Sequence, residues 1–531
     1  EEDKQEDNTS GSSQGNEDKP ENDNKQKVDG DKGHMGGHNP DYQPEKITPS
    51  KSDGSLTDEV FNEAMKSLSN MSENTRDRMY VTLPSLNEDD VIVSTKQIAK
   101  IYKDYYVKYL STPRLLANSV NRFKEWKKSQ SGTISYMAKE FEMKKAADNY
   151  KKSLTSKTGI INMNKIHSYK FNDDIFKKIQ VEPGAKNHGM IMFIDWSGSM
   201  SQNIDDTIKQ TLNLVMFCKS VQIPFRVFAF SDITRAAFYK EDHDDYGYSS
   251  RAARDLKNNP FKHKHGDLFI ENVNLIEWLS SDQKTPEYNE NMLNLYRFGE
   301  YHANYYNHRR HYDSYEEPID MPSCMRLGGT PLDPAIVASL TIVKNFILKH
   351  KIQKMNTIFL TDGCGHSMYN TVTTTDKGNL ELDYGSENAD LVIKGVDKKN
   401  YPYESHRFTK STAVMFDMLR QSTGTNIVGF YVTSRNNASY YDISNFLPEG
   451  AGYDGVDAVR KQMRKDKVGT IVGNGYDELF IIPKKNLKIV DEEAKINPDM
   501  SIAKMKSEFG KTLKTKKISR VLLNKFVERV A

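Results

Sequence analysis

Three short stretches of this 531-residue chain put oxygen donors where a cation could collect them. Asp195-Trp196-Ser197-Gly198-Ser199 sets one carboxylate and two hydroxyls at alternate positions of a single turn. Gly328-Gly329-Thr330-Pro331 offers another hydroxyl on a flexible turn, and Leu360-Thr361-Asp362-Gly363 offers a second carboxylate. A hard divalent cation such as Mg²⁺ takes oxygen ligands in an octahedral cage and keeps some of its waters. One carboxylate and two hydroxyls from one loop supply half such a cage without over-neutralising the ion. Taken alone, a D-x-S-x-S turn can equally be a helix cap. The three elements in this order favour a metal site with Asp195, Ser197, Ser199, Thr330 and Asp362 as ligands to Mg²⁺ or Mn²⁺.

Those residues need strand ends to hold them. From about residue 189 short apolar runs alternate with amphipathic helices: 189–195, a helix over about 204–220, 224–231, then 331–350 as a helix, 355–363, a helix over about 409–421, and 426–432. Near-continuous apolar strands separated by helices mark a parallel sheet covered on both faces. In such sheets ligands sit where the C-terminal strand ends meet loops. Residues 468–490 can add one or two strands or form a flap. Two polar stretches, about 240–326 and 364–406, are longer than ordinary connections and are expected to be surface excursions.

Together DWSGS, GGTP and LTDG resemble the metal-ion-dependent adhesion site of the von Willebrand factor A (integrin I-type) domain. That resemblance implies an α/β fold with a doubly wound, Rossmann-like parallel sheet and Mg²⁺ at its top edge. It also implies a binding device, with no catalysis, in which a carboxylate from a substrate protein completes the coordination. It covers roughly residues 188–435, less the two insertions. An acidic low-complexity tract, a basic connector (156–178) and FIDWSGSM are also similar to the T subunit of cobaltochelatase and its bacteriophage relatives. This narrower resemblance implies a AAA+ ATPase partner of the cobaltochelatase S-subunit or MoxR type, with the present chain coupling the ATPase to its client.

Charge is unevenly spread along the chain. Residues 1–60 carry 16 Asp+Glu against 7 Lys, a net of −9, with almost no large apolar side chains. Such a segment cannot bury enough surface to offset its chain entropy and is expected to be disordered. Residues 91–190 carry 20 Lys+Arg against 8 Asp+Glu, a net of +12. Arg is scarce there and no nucleic-acid motif accompanies the lysines, so a solvated helical surface is favoured over a nucleic-acid face. Ser94 and Gln97 form a capping-box pair ahead of Ile98, Ile101, Tyr102 and Tyr105. Pro113 opens a second helix, and a third is expected over about 134–154.

The resulting layout is an acidic tail (1–59), a basic helical domain (60–155), a connector (156–188), a von Willebrand A-type domain (189–480) with its insertions, and a C-terminal helical extension (481–531). Apolar runs of about half a dozen residues fall short of the ~20 a membrane helix needs. The chain opens on Glu1 with no charged-then-apolar leader, and its three cysteines are odd in number and widely spaced. Both features fit a reducing cytoplasm, that of the host cell if the gene is a phage's. Further candidates are weaker. The histidines at 263, 265, 302, 308 and 311 lack H-E-x-x-H spacing and read as a partner-facing loop. The GKT at 510–512 lacks the first glycine of a phosphate loop. Trp196 is either a contact residue beside the ion or packing beneath the loop. Two other readings stay open: an accessory subunit of a cobalt or magnesium chelatase, and a structural or nucleic-acid-associated protein using the basic 91–190 region.

Overall fold

A computed structural model describes residues 78–107, 113–152, 154–171, 175–181, 187–239, 256–308, 319–363, 365, 368–384, 389–403, 408–448 and 450–489, and, towards the C-terminus, 507, 511, 515–516 and 519–530. The acidic tail expected at 1–59 lies outside the described residues. Eight strands form the main sheet: β1 (Ile92–Val93), β2 (His188–Asp195), β3 (Phe225–Ser231), β4 (Asn274–Ser280), β5 (Lys354–Thr361), β6 (Asn426–Val432), β7 (Gly469–Gly473) and β8 (Tyr476–Ile482). Their spatial order is β7-β8-β6-β5-β2-β3-β4-β1. The five strands from β8 to β3 run parallel. β4 runs antiparallel to β3 and β7 antiparallel to β8, while β1 is parallel to β4.

The strand sequences explain this placement. In β2 every residue from Gly189 to Asp195 is buried, so the strand is a continuous apolar run with no polar face. Its side chains alternate between two cores: Met190, Met192 and Ile194 enter one cluster, Ile191 and Phe193 the other. Period-two alternation puts those sets on opposite faces of the sheet. Helices cover both: α1 (Thr95–Tyr106), α2 (Pro113–Lys152), α3 (Ile204–Ser220), α4 (Thr285–His308) and α8 (Val521–Val530) supply the first cluster, and α5 (Leu332–His350), α6 (Phe408–Thr423) and α7 (Gly452–Asp466) the second. The architecture is mixed α/β around a large, mainly parallel sheet. Among the described residues no helix is long and apolar enough to cross a membrane.

Three expectations about layout are revised. The helices at 95–152 do not make a domain of their own: residues 75–531 form one compact unit. β1 is hydrogen-bonded to β4, and Ile98, Ile101, Tyr102, Phe123, Met137 and Phe141 lie in the same core as β2. Their aromatic stripe is core packing. The second and third expected helices are one, because the polar step at 127–133 contains no proline and a single glycine costs only about 1 kcal/mol. Within that step Gln130 and Thr133 are buried, so its polar residues partly face inwards.

The stretch 240–326 is not a surface excursion where it is described. Asn274–Ser280 is a sheet strand buried at every position, and α4 packs behind it. The reason lies in NLIEWLS: Trp278 is fully buried against Trp196, Tyr102 and Phe298, with ring centroids 5.6, 5.8 and 6.3 Å away. Glu277, the charge that breaks the apolar run, is neutralised by Arg226 at 2.7 Å. The stretch 364–406 carries strands too. Thr371–Thr374 pairs with Leu380–Asp383, and Asp390–Lys394 pairs with Asn400–Tyr403 and with Arg78–Thr82. The C-terminal helix α8 docks on α3, and the buried Arg520 just before it donates to Gln130 Oε1 on α2 at 2.6 Å.

If β4 belongs to the core, Trp278→Ala should destabilise the protein by about 3–5 kcal/mol, the cost of truncating a buried aromatic. Chemical denaturation followed by circular dichroism reads this directly. An unchanged midpoint would make the segment peripheral.

Candidate metal centre

Sheet register brings the two carboxylates together. β2 and β5 are parallel neighbours with Ile194 opposite Leu360, so Asp195 and Asp362 emerge side by side at the C-terminal edge. Asp195 is fully buried, and Thr361 Oγ1 donates to its Oδ2 at 2.6 Å. A 3₁₀ turn over Gly198–Gln202 then folds the loop so that Ser197 Oγ lies 2.9 Å from Ser199 Oγ. Ser199 Oγ donates in turn to Asp362 Oδ1 at 2.6 Å. Three of the five expected ligands, Ser197, Ser199 and Asp362, are thereby linked in one chain of contacts, and Asp195 is tied beside them through Thr361.

The glycine turn locks onto this loop. Gly198 N–H donates to Gly328 O at 2.8 Å, and Gly328 N–H donates to Trp196 O at 2.9 Å. Thr330, the fifth expected residue, lies beside the turn after β5: its Cγ2 is 3.8 Å from where a Cβ on Gly363 would stand. One participant was missed from sequence. Asp232, immediately after β3, accepts from Gly329 N–H at 2.8 Å. A Cβ on Gly328 would come within 2.2 Å of that carboxylate, and one on Gly329 within 2.6 Å. A side chain at either position would displace that carboxylate. The signal was available in FSD, a third apolar strand that ends on a carboxylate.

Electrostatics single out Asp195. Burial pushes its carboxyl up to about 7, the neighbouring Asp362 adds to the rise, and the Thr361 hydrogen bond and the nearby Ser197 oppose it. Burial raises Asp362 as well, against the Ser199 hydrogen bond. Among the described residues no Lys or Arg pairs with either. Asp195 Oδ1 is buried and, among the described residues, has no hydrogen-bond partner. A buried acceptor left unpaired costs about 1–3 kcal/mol, and more when charged. Among the described residues the donors in reach are carboxylate and hydroxyl oxygens, with no thiolate or imidazole, which suits Mg²⁺ or Mn²⁺. Among the described residues no group of three or more His, Cys, Asp and Glu could hold a metal; this set has two carboxylates and draws on hydroxyls for the rest.

The other sequence candidates find structural roles. Trp196 is buried beneath the loop, stacked on Phe298 at 4.3 Å, with Nε1–H donating to Met325 O at 2.8 Å. His263 is buried and accepts from Ile270 N–H at 3.1 Å; burial lowers its imidazole to about 4. His302 packs on Phe298 at 4.7 Å and is lowered likewise. The expected partner-facing histidine loop is thus partly interior, while His311 lies outside the described residues.

No protein-family model matches the chain, and no curated protein sequence matches it. Among solved structures, one match is the pilus adhesin SpaC from Lactobacillus rhamnosus GG in its open conformation. Identity is 12% and the TM-score 0.25, over 54% of this chain and 30% of the adhesin, so this chain spans less than a third of that protein. At that level the likeness carries no argument about fold or function.

A pH prediction follows from Asp195. Its carboxyl titrates near 7 in the fold, above its ordinary 3.8, so the neutral form is favoured by folding. That contribution is complete below about pH 4 and is lost as pH rises through about 7. A cation needs the ionised form and competes with the proton. Mn²⁺ or Mg²⁺ affinity measured by calorimetry should therefore weaken about tenfold from pH 8 to pH 6. Binding with a flat profile over that range would contradict a cation that competes with a proton on Asp195 near pH 7.

Proposed function

We propose that this chain is a Mg²⁺- or Mn²⁺-dependent protein-binding adaptor of the von Willebrand factor A type, coupling a AAA+ ATPase to a substrate protein. The doubly wound reading is supported by five parallel strands with helices on both faces and by ligand-type residues at their C-terminal edge. The observation that carries the proposal is the unpartnered, buried Asp195 Oδ1 amid Ser197, Ser199 and Asp362. Asp195, Ser197, Ser199, Thr330 and Asp362 would hold the cation, which when bound supplies an electrophilic position for a carboxylate of the substrate protein.

Each protein group has its part in this. Thr361 fixes the Asp195 carboxylate through Oδ2 and leaves Oδ1 available. Ser199 orients Asp362. Asp232 holds the Gly328–Thr330 turn against the loop from below. None of these groups forms an activated nucleophile with a base, so the reading is of a binding site. The AAA+ partner rests on the resemblance of the acidic tract, connector and metal loop to the cobaltochelatase T subunit.

The test is a pull-down from source-cell lysate with wild type and Asp195→Ala, each in Mg²⁺ and in EDTA, with Ser199→Ala as a milder variant at an exposed position. Recovery of a AAA+ ATPase or its client by wild type in Mg²⁺, lost in the other lanes and reduced for Ser199→Ala, is the expected result. The same proteins in all lanes would make the site structural at most. Recovery of nucleic acid independent of Asp195 would favour the basic helical surface instead.

A further inference from the structure

A second site lies on the same sheet edge as the metal centre. A cavity of about 360 Å³ is lined by Arg460, Arg464 and Lys467 on and just beyond α7, and by Asn437, Lys485 and Asn486 on the loops after β6 and β8. Four of those six side chains are cationic, and among the described residues no carboxylate lines the cavity. Arg464, Lys467 and Lys485 are exposed. Arg460 has one acid nearby, Asp457 at 3.7 Å, outside the lining.

The polar groups of the wall are held in place. Lys485 Nζ donates to Asn437 Oδ1 at 2.6 Å, and Asn486 Nδ2 donates to Lys467 O at 2.7 Å. Lys467 closes α7 in the left-handed region at φ 67°, with its N–H on Met463 O, which turns the chain at the cavity mouth. Some of this charge offsets the negative end of α7, whose last turn carries Arg464 and Lys465. Arg460 lies a turn earlier and Lys485 comes from a different element, so helix capping alone does not gather all four.

Continuity with the metal loop is direct. Lys484, beside Lys485, donates through Nζ to Gln202 Oε1 at 2.8 Å, at the end of the turn that carries Ser199. β2, β5, β6 and β8 are parallel neighbours, so Asp195, Asp362, Thr433 and Pro483 all leave the sheet at one edge. With strands ~4.8 Å apart, the two to three steps from β2 to β6 and β8 span roughly 10–15 Å. An extended peptide rising ~3.3 Å per residue covers that in about three to five residues.

We infer that the cavity between α7 and the loops after β6 and β8 is an anion subsite for an acidic segment of the partner protein. It takes a carboxylate about three to five residues from the one that reaches the Asp195 site. The inference rests on the adaptor reading for the metal carboxylate and adds the class of partner: an extended, Asp/Glu-rich peptide. Converging cationic groups hold carboxylates through charge-assisted hydrogen bonds, bidentate where Arg is used.

The test uses the full chain, a fluorescein-labelled peptide of ten glutamates and fluorescence anisotropy at constant ionic strength. Arg464→Glu with Lys485→Glu should weaken binding at least tenfold. Lys124→Glu with Lys128→Glu, an equal charge change at exposed positions of α2, should change it less than twofold. Wild-type affinity in the cavity variant, or an equal loss in the α2 variant, overturns the subsite. Asp195→Ala and EDTA test the other contact separately. If they leave wild-type binding unchanged while the cavity variant abolishes it, the anion subsite stands and the metal reading falls. If they abolish binding while the cavity variant binds normally, the metal reading stands and the subsite falls.

Discussion

A carboxylate at the end of a central parallel strand has to be either neutral or matched. Asp195 occupies that position with one oxygen tied to Thr361 and the other without a partner. Much around it serves to keep this arrangement from collapsing. The strand that delivers Asp195 is buried on both faces, so its end cannot drift towards solvent without exposing Met192, Phe193 and Ile194. Fully burying each such side chain contributes about 1.5–3 kcal/mol. That apolar anchorage offsets the cost of holding two carboxylates near one another in a water-poor site.

Trp196 joins the site to the rest of the molecule. One residue beyond the carboxylate, it is pinned through Nε1 to Met325 and stacked on Phe298 of α4. Trp278 of β4 and Tyr102 of α1 continue the aromatic contact. The residues that looked like an insertion and a separate N-terminal domain are thus the underside of the Asp195–Ser199 loop. Their packing also explains why the loop and the Gly328 turn close on each other through backbone hydrogen bonds: Met325, which receives the indole N–H, leads into that turn. Asp232 completes the support from β3, and its close approach is possible because Gly328 and Gly329 carry no side chains.

The sequence was legible where the code was local. Asn426–Val432 and Ile204–Ser220 match the elements expected from apolar runs and helical periodicity, and the other central strands differ by a residue or two at their ends. The candidate ligands could be read because each follows such a run. What escaped was non-local. NLIEWLS contains a charge whose partner, Arg226, lies 51 residues away on β3, so burial of Glu277 could not be foreseen. The apolar stripe of 95–141 reads as core from its spacing, but the helices it meets, α3 and α4, lie far along the chain, so its membership of the sheet's own core does not show there. Asp232 ends an apolar strand, but the group it serves is a backbone N–H nearly a hundred residues on, so its role is not written beside it. The basic cavity joins α7 to loops after two different strands, an arrangement that spacing along the chain does not announce.

The central claim is that a divalent cation completes the environment of Asp195 Oδ1. Diffraction from crystals grown with Mn²⁺, recorded at the manganese absorption edge, locates the ion without reference to activity or partner. One strong anomalous peak is expected between Asp195 and Asp362, within coordinating distance of the Ser197 and Ser199 hydroxyls. A peak elsewhere, with Asp195 left unliganded at millimolar Mn²⁺ and neutral pH, would contradict the claim.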